Sequence, residues 1–298
     1  MNTVLCLGEA LIDVVHRTDG DVQEHVGGSP LNVGGGLSRL GHPARLACWI
    51  GRDPRGLMIQ QWLSEHAVLL ARGSDRADGT PTATATLDSS GAATYEFDLE
   101  WDLPDVDLDD VGHVHTGSIA AVLQPGADKV LQILEQAKQA GITISYDPNM
   151  RPALMGTPEA VRQRVEQVIA LSDVVKASDE DIAWLYPDDR AEDVLVRWAQ
   201  LGPRAVVMTR GGEGASFVAT GGLEQVSPRR VDVVDTVGAG DSFMAGLVSG
   251  LLDAEALGRD AGGAITEQLL RAAIDRAVAT SAVTVTHAGA YAPTRDEL

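Results

Sequence analysis

Short apolar runs alternate along the chain with segments in which apolar residues recur every three or four positions. The apolar runs end at small or polar residues and occupy positions 4–7, 142–146, 174–175 and 206–208. Runs of this kind are typical of buried parallel strands. The helix-like segments between them cover positions 130–137, 161–169 and 194–201. Because strands and helices alternate, we predict an α/β fold: a central, mostly parallel sheet flanked by helices, with ligands at the carboxyl ends of its strands.

Two segments, at about 13–28 and 80–103, break this pattern because their hydrophobic period shortens towards two. In the second segment the turn-forming residues 88–91 separate two alternating stretches, which predicts a hairpin. We expect a small β-sheet inserted into a single domain of residues 1–298, placed as a lid that closes over a cleft. An edge extension of the main sheet is the alternative.

Composition narrows the class of protein. The chain has 298 residues, of which 44% are hydrophobic, and this favours a packed globular protein. Its formal net charge is −20, whereas nucleic acids and anionic membranes are bound by basic patches. We therefore expect neither partner, and a polyanionic substrate would need a local positive site.

Cysteine usage and hydropathy indicate the compartment. Cys6 and Cys48 are the two cysteines, and Cys6 lies within an apolar run, so two reduced core thiols are expected rather than a disulfide framework. The sequence shows no basic N-terminal region followed by a long apolar stretch, and no run of about 18 apolar residues. A cytoplasmic protein is expected.

The segment Asp235–Asp241 opens directly onto an apolar helical stripe. The small residues Gly238, Ala239 and Gly240 would let backbone N–H groups point at one anion, at the positive end of a helix dipole. Asp241 would face that anion as a base, with its pKa lowered by the same helix end. This arrangement predicts a site for a transferring phosphoryl group, and an ordinary helix cap is the alternative.

Two common nucleotide motifs are absent. No Gly-Lys-Ser/Thr occurs, and the lysines are Lys129, Lys138 and Lys176, which excludes a P-loop. The dinucleotide-binding fingerprint is also absent. Phe243 stands where that pattern requires its third glycine, and Asp241 at the helix start would repel a pyrophosphate.

Residues that could bind a sugar lie in two kinds of position. One group stands between the predicted lid strand and the helix that follows it, and the other stands near the ends of predicted strands. Gly27 and Gly28 permit close approach of the backbone to a ligand, and Asn32 offers both a donor and an acceptor. Asp13, Asp147, Asn149 and Arg151 lie near strand ends and could converge on sugar hydroxyls and phosphate oxygens. A glycine turn, helix caps and surface ion pairs are the alternatives.

Further candidates follow the next two strands. The carboxylates of Asp179, Glu180 and Asp181 suit Mg²⁺ held through water and substrate phosphates, although a solvated helix start is the better interpretation for the first two. The glycine-rich loop 209–214 could lie along a nucleotide. His113 and His115 share one strand face without a third ligand nearby, so we interpret one or both as structural residues.

Taken together, Gly27–Asn32 and Asp235–Asp241 resemble the motifs of the ribokinase-like (PfkB) family of carbohydrate kinases. The resemblance continues through positions 117–120, 146–152, 174–180 and 286–290. The forms Asp-Pro-Asn-x-Arg and Val-Lys-x-Ser-Asp-Glu are most similar to its fructokinase branch.

This resemblance implies an α/β domain with a β lid, ATP with Mg²⁺ as the donor, and a sugar hydroxyl as the acceptor, most simply fructose giving fructose 6-phosphate. It implies these catalytic residues: Asp241 as base, with Gly238, Ala239 and Gly240 as the anion hole. The implied substrate-binding residues are Asp13, Gly27, Gly28, Asn32, Tyr95, Phe97 and Arg151. The implied nucleotide-binding residues are Lys176, Thr209, Gly212 and Gly214. Asp181 would contact Mg²⁺ through water, and Asp235 would lie near a monovalent cation such as K⁺.

The chain departs from the family pattern at two places. The usual Asn-x-x-Glu metal motif is Ser178-x-x-Asp181 here, which leaves the Mg²⁺ contact open. Gly34–Gly36 replaces helix formers, which predicts a weaker helix start. Two other functions remain: a 2-keto-3-deoxygluconate kinase in which Arg151 binds the substrate carboxylate, and a non-catalytic sugar- or nucleotide-binding protein. A homodimer through the lid is a further expectation.

Overall fold

The computed structural model describes residues 3–18, 20–87, 93–219 and 222–298. The strands are β1 (Thr3–Leu7), β2 (Leu11–His16), β3 (Val22–Gly27), β4 (Ala44–Ala47), β5 (Val68–Leu70), β6 (Thr82–Leu87), β7 (Ala93–Asp98), β8 (Val111–Gly117), β9 (Thr143–Asp147), β10 (Val174–Ser178), β11 (Ala205–Thr209), β12 (Ala215–Ala219) and β13 (Gly222–Val226). The α-helices are α1 (Ser29–Arg39), α2 (Pro54–Glu65), α3 (Gly126–Gln139), α4 (Pro152–Met155), α5 (Pro158–Leu171), α6 (Asp179–Leu185), α7 (Ala191–Ala199), α8 (Ala239–Asp253) and α9 (Glu267–Thr284).

The main sheet confirms the predicted α/β fold. Its strand order is β13-β12-β11-β10-β9-β8-β1-β4-β5. Strands β11 through β5 run parallel, and β12 and β13 add an antiparallel edge. The four apolar runs identified in the sequence form β1, β9, β10 and β11. Their carboxyl ends lie at one edge of the sheet, where ligands collect in folds of this type.

Helices cover both faces of this sheet and create two cores. One core packs beneath α3, α5, α6 and α7, and the other beneath α1, α2, α8 and α9. Fully burying one aliphatic side chain stabilises the folded state by about 1.5–3 kcal/mol. The two cores therefore hold the strands, and the residues at their ends, firmly in place. Cys6 and Cys48 are buried free thiols, as predicted.

The small sheet is separate from the main one, so the alternative of an edge extension is wrong. Its order is β3-β2-β6-β7. It consists of two antiparallel pairs joined by the parallel pair β2–β6. The strand predicted towards position 103 ends at Asp98, because Trp101 and Leu103 are buried in the main core. The turn predicted at 88–91 lies outside the described residues.

Helix α1 runs without interruption through Gly34–Gly36. A Cβ on Gly35 would lie 2.4 Å from the ring of Trp62, and one on Gly36 would lie 2.7 Å from the Cβ of Ala245 in α8. The glycines therefore allow α1 to pack closely on α2 and α8. Within the described part of the chain, no helix has the length and apolar character needed to cross a membrane.

Candidate active site

The N-terminus of α8 begins behind a left-handed glycine. Gly238 has φ 74°, and a Cβ there would lie 2.6 Å from the Cβ of Ala290. Side-chain-bearing residues rarely adopt this conformation, so both φ and the close contact require glycine. The first N–H groups of a helix have no intrahelical acceptor. That of Ala239 donates to the Thr236 carbonyl oxygen at 3.2 Å, and Gly240 and Asp241 follow it in the first turn.

Asp241 is 8% exposed and receives two hydrogen bonds from α1. The Ser29 hydroxyl donates to its Oδ1 at 2.6 Å, and the Asn32 amide donates to its Oδ2 at 2.8 Å. Burial raises the pKa of Asp241, and the two hydrogen bonds together with the Lys176 charge lower it by less. The prediction of a lowered pKa was wrong, because desolvation outweighs the other effects. A carboxylate with a raised pKa is a better proton acceptor.

Lys176, in the middle of β10, and Asp147, at the end of β9, form a buried ion pair. Their Nζ and Oδ2 atoms are 2.8 Å apart, and their side chains are 4% and 0% exposed. Burial raises the pKa of Asp147 to about 6, although Lys176 acts against this. A Cβ on Gly240 would lie 3.0 Å from Lys176 Nζ. The ammonium group therefore lies against the first turn of α8, and Lys176 is at the anion loop.

The first two glycines of the Gly27–Asn32 motif fit against the residues that follow β1. A Cβ on Gly27 would lie 2.3 Å from Asp13 Oδ2, and one on Gly28 would lie 2.3 Å from the Glu9 carbonyl oxygen. Gly28 also has φ 123°. Burial raises the pKa of Asp13, with smaller opposing effects from His25 and Arg151. Both glycines thus make room for the backbone and carboxylate that line the predicted sugar site.

Arg151 is anchored to its own loop. Its guanidinium donates to the Asn149 side-chain oxygen at 2.7 Å and to the Met150 carbonyl oxygen at 3.0 Å. The charge of Arg151 lowers the pKa of both Asp13 and Asp241. The positive charge of Arg151 therefore acts on both carboxylates that the sequence predicts in one site.

Phe97 pairs with Ala83, which pairs in turn with Asp13. Directly paired residues share a face of a sheet, so Phe97 and Asp13 lie on the same face of the small sheet. Tyr95 pairs with Ala85 in the backbone register, and its side chain lies outside what the structure describes.

Asp181 connects two loops at the sheet edge. Its Oδ1 accepts from the Met150 N–H at 2.7 Å, and its Oδ2 accepts from the Ser178 N–H at 2.9 Å. The Ser178 hydroxyl accepts from the Asp181 N–H in return, so Ser178-x-x-Asp181 is a capping box. Since backbone donors engage both oxygens, contact with Mg²⁺ through water fits better than direct ligation. In the described ranges, no group of three or more His, Cys, Asp or Glu side chains could hold a metal ion.

The predicted nucleotide loop follows β11. Thr209 pairs with Ser178 at the end of β10. A Cβ on Gly212 would meet open space, whereas one on Gly214 would lie 2.2 Å from the Val226 carbonyl oxygen. Gly214 thus shapes the loop through its packing, and Gly212 presents a free surface.

Asp235 joins the anion loop to the segment after α9. Its Oδ1 accepts from the Val237 N–H at 3.0 Å, and its Oδ2 accepts from the Gly289 N–H at 2.8 Å. These backbone hydrogen bonds lower the pKa of Asp235. An ionised carboxylate at this position fits a nearby monovalent cation.

The two strand histidines are fully buried on β8 beside β9. His113 is hydrogen-bonded to Thr143 and Ser145, each at 2.8 Å, and His115 to Ser145 at 3.0 Å. Burial lowers the pKa of both rings to about 3. The structural interpretation of His113 is confirmed.

The sequence assigns no role to Ser29 or Glu9, and it predicts Asp147 only as a carboxylate at a strand end. Ser29 contacts Asp241, Asp147 contacts Lys176, and Glu9 accepts from the Ser29 N–H at 3.3 Å. Ser29 lies inside the Gly27–Asn32 motif, and Glu9 follows the first strand after one residue. Their positions at strand ends were the available signal, but their partners are distant in sequence.

Comparison with known proteins identifies the family of the chain. Residues 1–297 match the family described as pfkB family carbohydrate kinase. The chain belongs to this family and is a sugar kinase. It is 32% identical over 254 residues to a fructokinase of Klebsiella pneumoniae, covering 82% of this chain and 83% of that protein. It is 33% identical over 289 residues to a fructokinase of Rhizobium leguminosarum bv. trifolii, covering 90% and 85%.

Solved structures of sugar and riboside kinases share this fold. A double mutant of a fructokinase from Vibrio cholerae O395, in fructose, ADP and potassium ion bound form, has a TM-score of 0.80 and 26% identity, covering 99% of this chain and 96% of that one. An aminoimidazole riboside kinase from Salmonella enterica, complexed with aminoimidazole riboside and an ATP analogue, has a TM-score of 0.81 and 25% identity, covering 99% and 98%.

Proposed function

We propose that this sugar kinase transfers the γ-phosphoryl group of ATP to fructose, giving fructose 6-phosphate. The observation that carries the proposal is the position of Asp241. It is a buried carboxylate with a raised pKa, oriented by Ser29 and Asn32 at the start of α8. The relatives named fructokinase support fructose as the acceptor.

The chemistry follows from the anion loop and its cation. In the loose transition state of phosphoryl transfer, charge spreads over the γ-phosphoryl oxygens, so alignment and charge stabilisation supply most of the catalysis. The sugar oxygen forms the new bond to phosphorus, and the bond to the ADP oxygen breaks. The Gly238–Gly240 turn and Lys176 stabilise the transferring group, and Asp241 receives the hydroxyl proton.

The charges around Arg151 favour a neutral sugar. Arg151 influences the pKa of three carboxyl groups, those of Glu9, Asp13 and Asp241. A sugar acid would add a further negative charge beside them, and like charges in a partly buried site repel. Its guanidinium is nevertheless the cation that would bind a carboxylate, so 2-keto-3-deoxygluconate is the second candidate substrate.

The other ligands are assigned by position. Thr209, Gly212 and Gly214 line the loop proposed to hold the nucleotide. Mg²⁺ would enter with the ATP phosphates and contact Asp181 through water. K⁺ would lie near Asp235, and the potassium ion bound by the Vibrio cholerae fructokinase supports K⁺ as the cation.

The small sheet is proposed as a lid over the sugar. Its face carrying Asp13 and Phe97 would close on the substrate together with Gly27, Gly28 and Tyr95. A homodimer through this sheet would cover its edges. Sedimentation velocity at increasing protein concentration tests the dimer, since a single monomeric species at all concentrations would exclude it.

A coupled assay of ADP release tests the proposed function. Purified protein is given MgATP and one acceptor at a time from a panel of ketoses, aldoses and sugar acids. We expect the highest kcat/KM with fructose. A higher value with 2-keto-3-deoxygluconate would transfer the assignment to the second candidate. Calorimetric binding of sugar without ADP release would indicate a non-catalytic protein.

A further inference from the structure

Glu9 is a buried carboxyl group two residues after β1. It is 6% exposed, and its Oε1 accepts a hydrogen bond from the Ser29 N–H at 3.3 Å. The hydroxyl of the same Ser29 donates to Asp241 Oδ1 at 2.6 Å. Ser29 therefore bridges two buried carboxyl groups, one through its backbone and one through its side chain.

The surroundings of Glu9 leave one of its oxygens without a protein donor. Among the described residues, Oε2 is buried and has no hydrogen-bond partner. Burial raises the pKa of Glu9 to about 7, and the hydroxyl of Ser118, the Arg151 charge and the Ser29 N–H lower it by less. The Glu9 carbonyl oxygen lies so close to Gly28 that a Cβ there would be 2.3 Å away, so no side chain fits at that position.

The neighbouring backbone is also constrained. Ser118, which directly follows β8, has φ 52°, in the left-handed region that non-glycine residues rarely adopt. Such positions persist only where the surroundings fix them. Glu9 thus lies between two constrained turns, Gly28–Ser29 and Gly117–Ser118.

We propose that Glu9 is a positioning residue for the catalytic base. Its carboxylate fixes the backbone of Ser29, and the Ser29 hydroxyl in turn orients Asp241 towards the sugar. The proposal depends on the sugar kinase function given above. Glu9 therefore acts on Asp241 through Ser29.

Ionisation of Glu9 changes the strength of this link. A charged carboxylate accepts a stronger hydrogen bond from an N–H than a neutral carboxyl group does. The charged groups that face this region are Arg151, from the loop after β9, and Asp241, from α8 beyond Ser29. Orientation of Asp241 is therefore best above neutral pH, when Glu9 is ionised.

The test compares Glu9→Gln, Glu9→Ala and a matched control. Asp173→Asn is the control, because Asp173 is also a buried carboxylate and its Oδ2 accepts a hydrogen bond from the Ile144 N–H at 2.9 Å. Asp173 directly precedes β10, so it lies at the amino ends of the strands, away from the candidate site. For each variant kcat, the KM for fructose and the pH profile of kcat are measured on folded protein.

We expect the wild-type kcat to rise through an inflection near pH 7 that Glu9→Gln removes, since the amide has no ionisable group. Glu9→Ala should lower kcat about 10- to 100-fold, the range expected for a misplaced catalytic group, with a smaller effect on KM. Asp173→Asn should lose stability but keep the wild-type profile. An unchanged pH profile in Glu9→Gln, or a loss in KM alone, would overturn the role.

A second background tests whether the effect passes through Ser29. In Ser29→Ala, adding Glu9→Ala should lower kcat by less than twofold, since the hydroxyl that transmits the position is gone. If Glu9→Ala lowered kcat by the same factor with and without Ser29→Ala, the link from Glu9 through Ser29 to Asp241 would be overturned. A wild-type protein without sugar-dependent turnover would instead contradict the proposed function, so the two failures are distinguishable.

Discussion

The Ser29 hydroxyl donates a 2.6 Å hydrogen bond to Asp241, across 212 positions of sequence. The two residues belong to the first turns of α1 and α8, and these helices pack closely because Gly36 leaves room for Ala245. The orientation of the base is therefore a property of helix packing as well as of the loop that precedes α8.

The anion loop depends on Gly238 having no side chain. We expect Gly238→Ala to lower stability by about 1–3 kcal/mol, from strain at positive φ, and to lower kcat at least tenfold because the loop shifts. Gly212→Ala is the control, since a Cβ there meets open space, and it should leave stability unchanged. Urea unfolding and kcat are measured on both variants. Equal stability of the two would contradict this account of Gly238.

Lys176 neutralises the buried carboxylate of Asp147. Lys176→Met would leave that charge unpaired and cost about 3–5 kcal/mol of stability, whereas Lys176→Met with Asp147→Leu should recover most of it. Lys176 lowers the pKa of Asp241, so its loss should move the acidic limb of the kcat profile to higher pH when both proteins also carry Glu9→Gln, which removes the inflection assigned to Glu9. An acidic limb that stays in place would show that Lys176 does not act on the base.

Asp235 is proposed to support a monovalent cation near the anion loop. Asp235→Asn should reduce activation by K⁺ severalfold in kcat titrations with KCl against choline chloride, because the ionised carboxylate is lost. Asp296→Asn, in the C-terminal turn, is the control. Identical K⁺ dependence in wild type and Asp235→Asn would remove Asp235 from the cation site.

His113 is held in its neutral form, since burial lowers its pKa to about 3. The ring becomes protonated on unfolding below its ordinary pKa of about 6.5, so its contribution to stability is complete above that pH and declines as the pH falls. The stability penalty of His113→Gln should therefore be about 2 kcal/mol smaller at pH 5 than at pH 7.5. Urea unfolding at both pH values measures it, and a constant penalty would contradict a neutral His113.

The sequence predicted the features that depend on local pattern. The strands β1 and β9 to β11 followed from apolar runs, and the α8 turn followed from its small residues and carboxylate. The sequence did not predict that the pKa of Asp241 is raised, because the desolvation that raises it depends on Ser29, Asn32 and the packing of α1. Gly34–Gly36 suggested a weak helix, and only the positions of Trp62 and Ala245 explain why glycine stands there.

The central claim is that Asp241 accepts the proton while the γ-phosphoryl group passes to a sugar hydroxyl. Phosphorus NMR of wild type and Asp241→Asn, each with MgATP and fructose, measures this directly by following ATP, ADP and the sugar monoester. The wild type should convert ATP to ADP and fructose 6-phosphate in equal amounts. The variant should react at least about 10²-fold more slowly while binding fructose with wild-type affinity. Formation of the monoester at the wild-type rate by Asp241→Asn would contradict the claim.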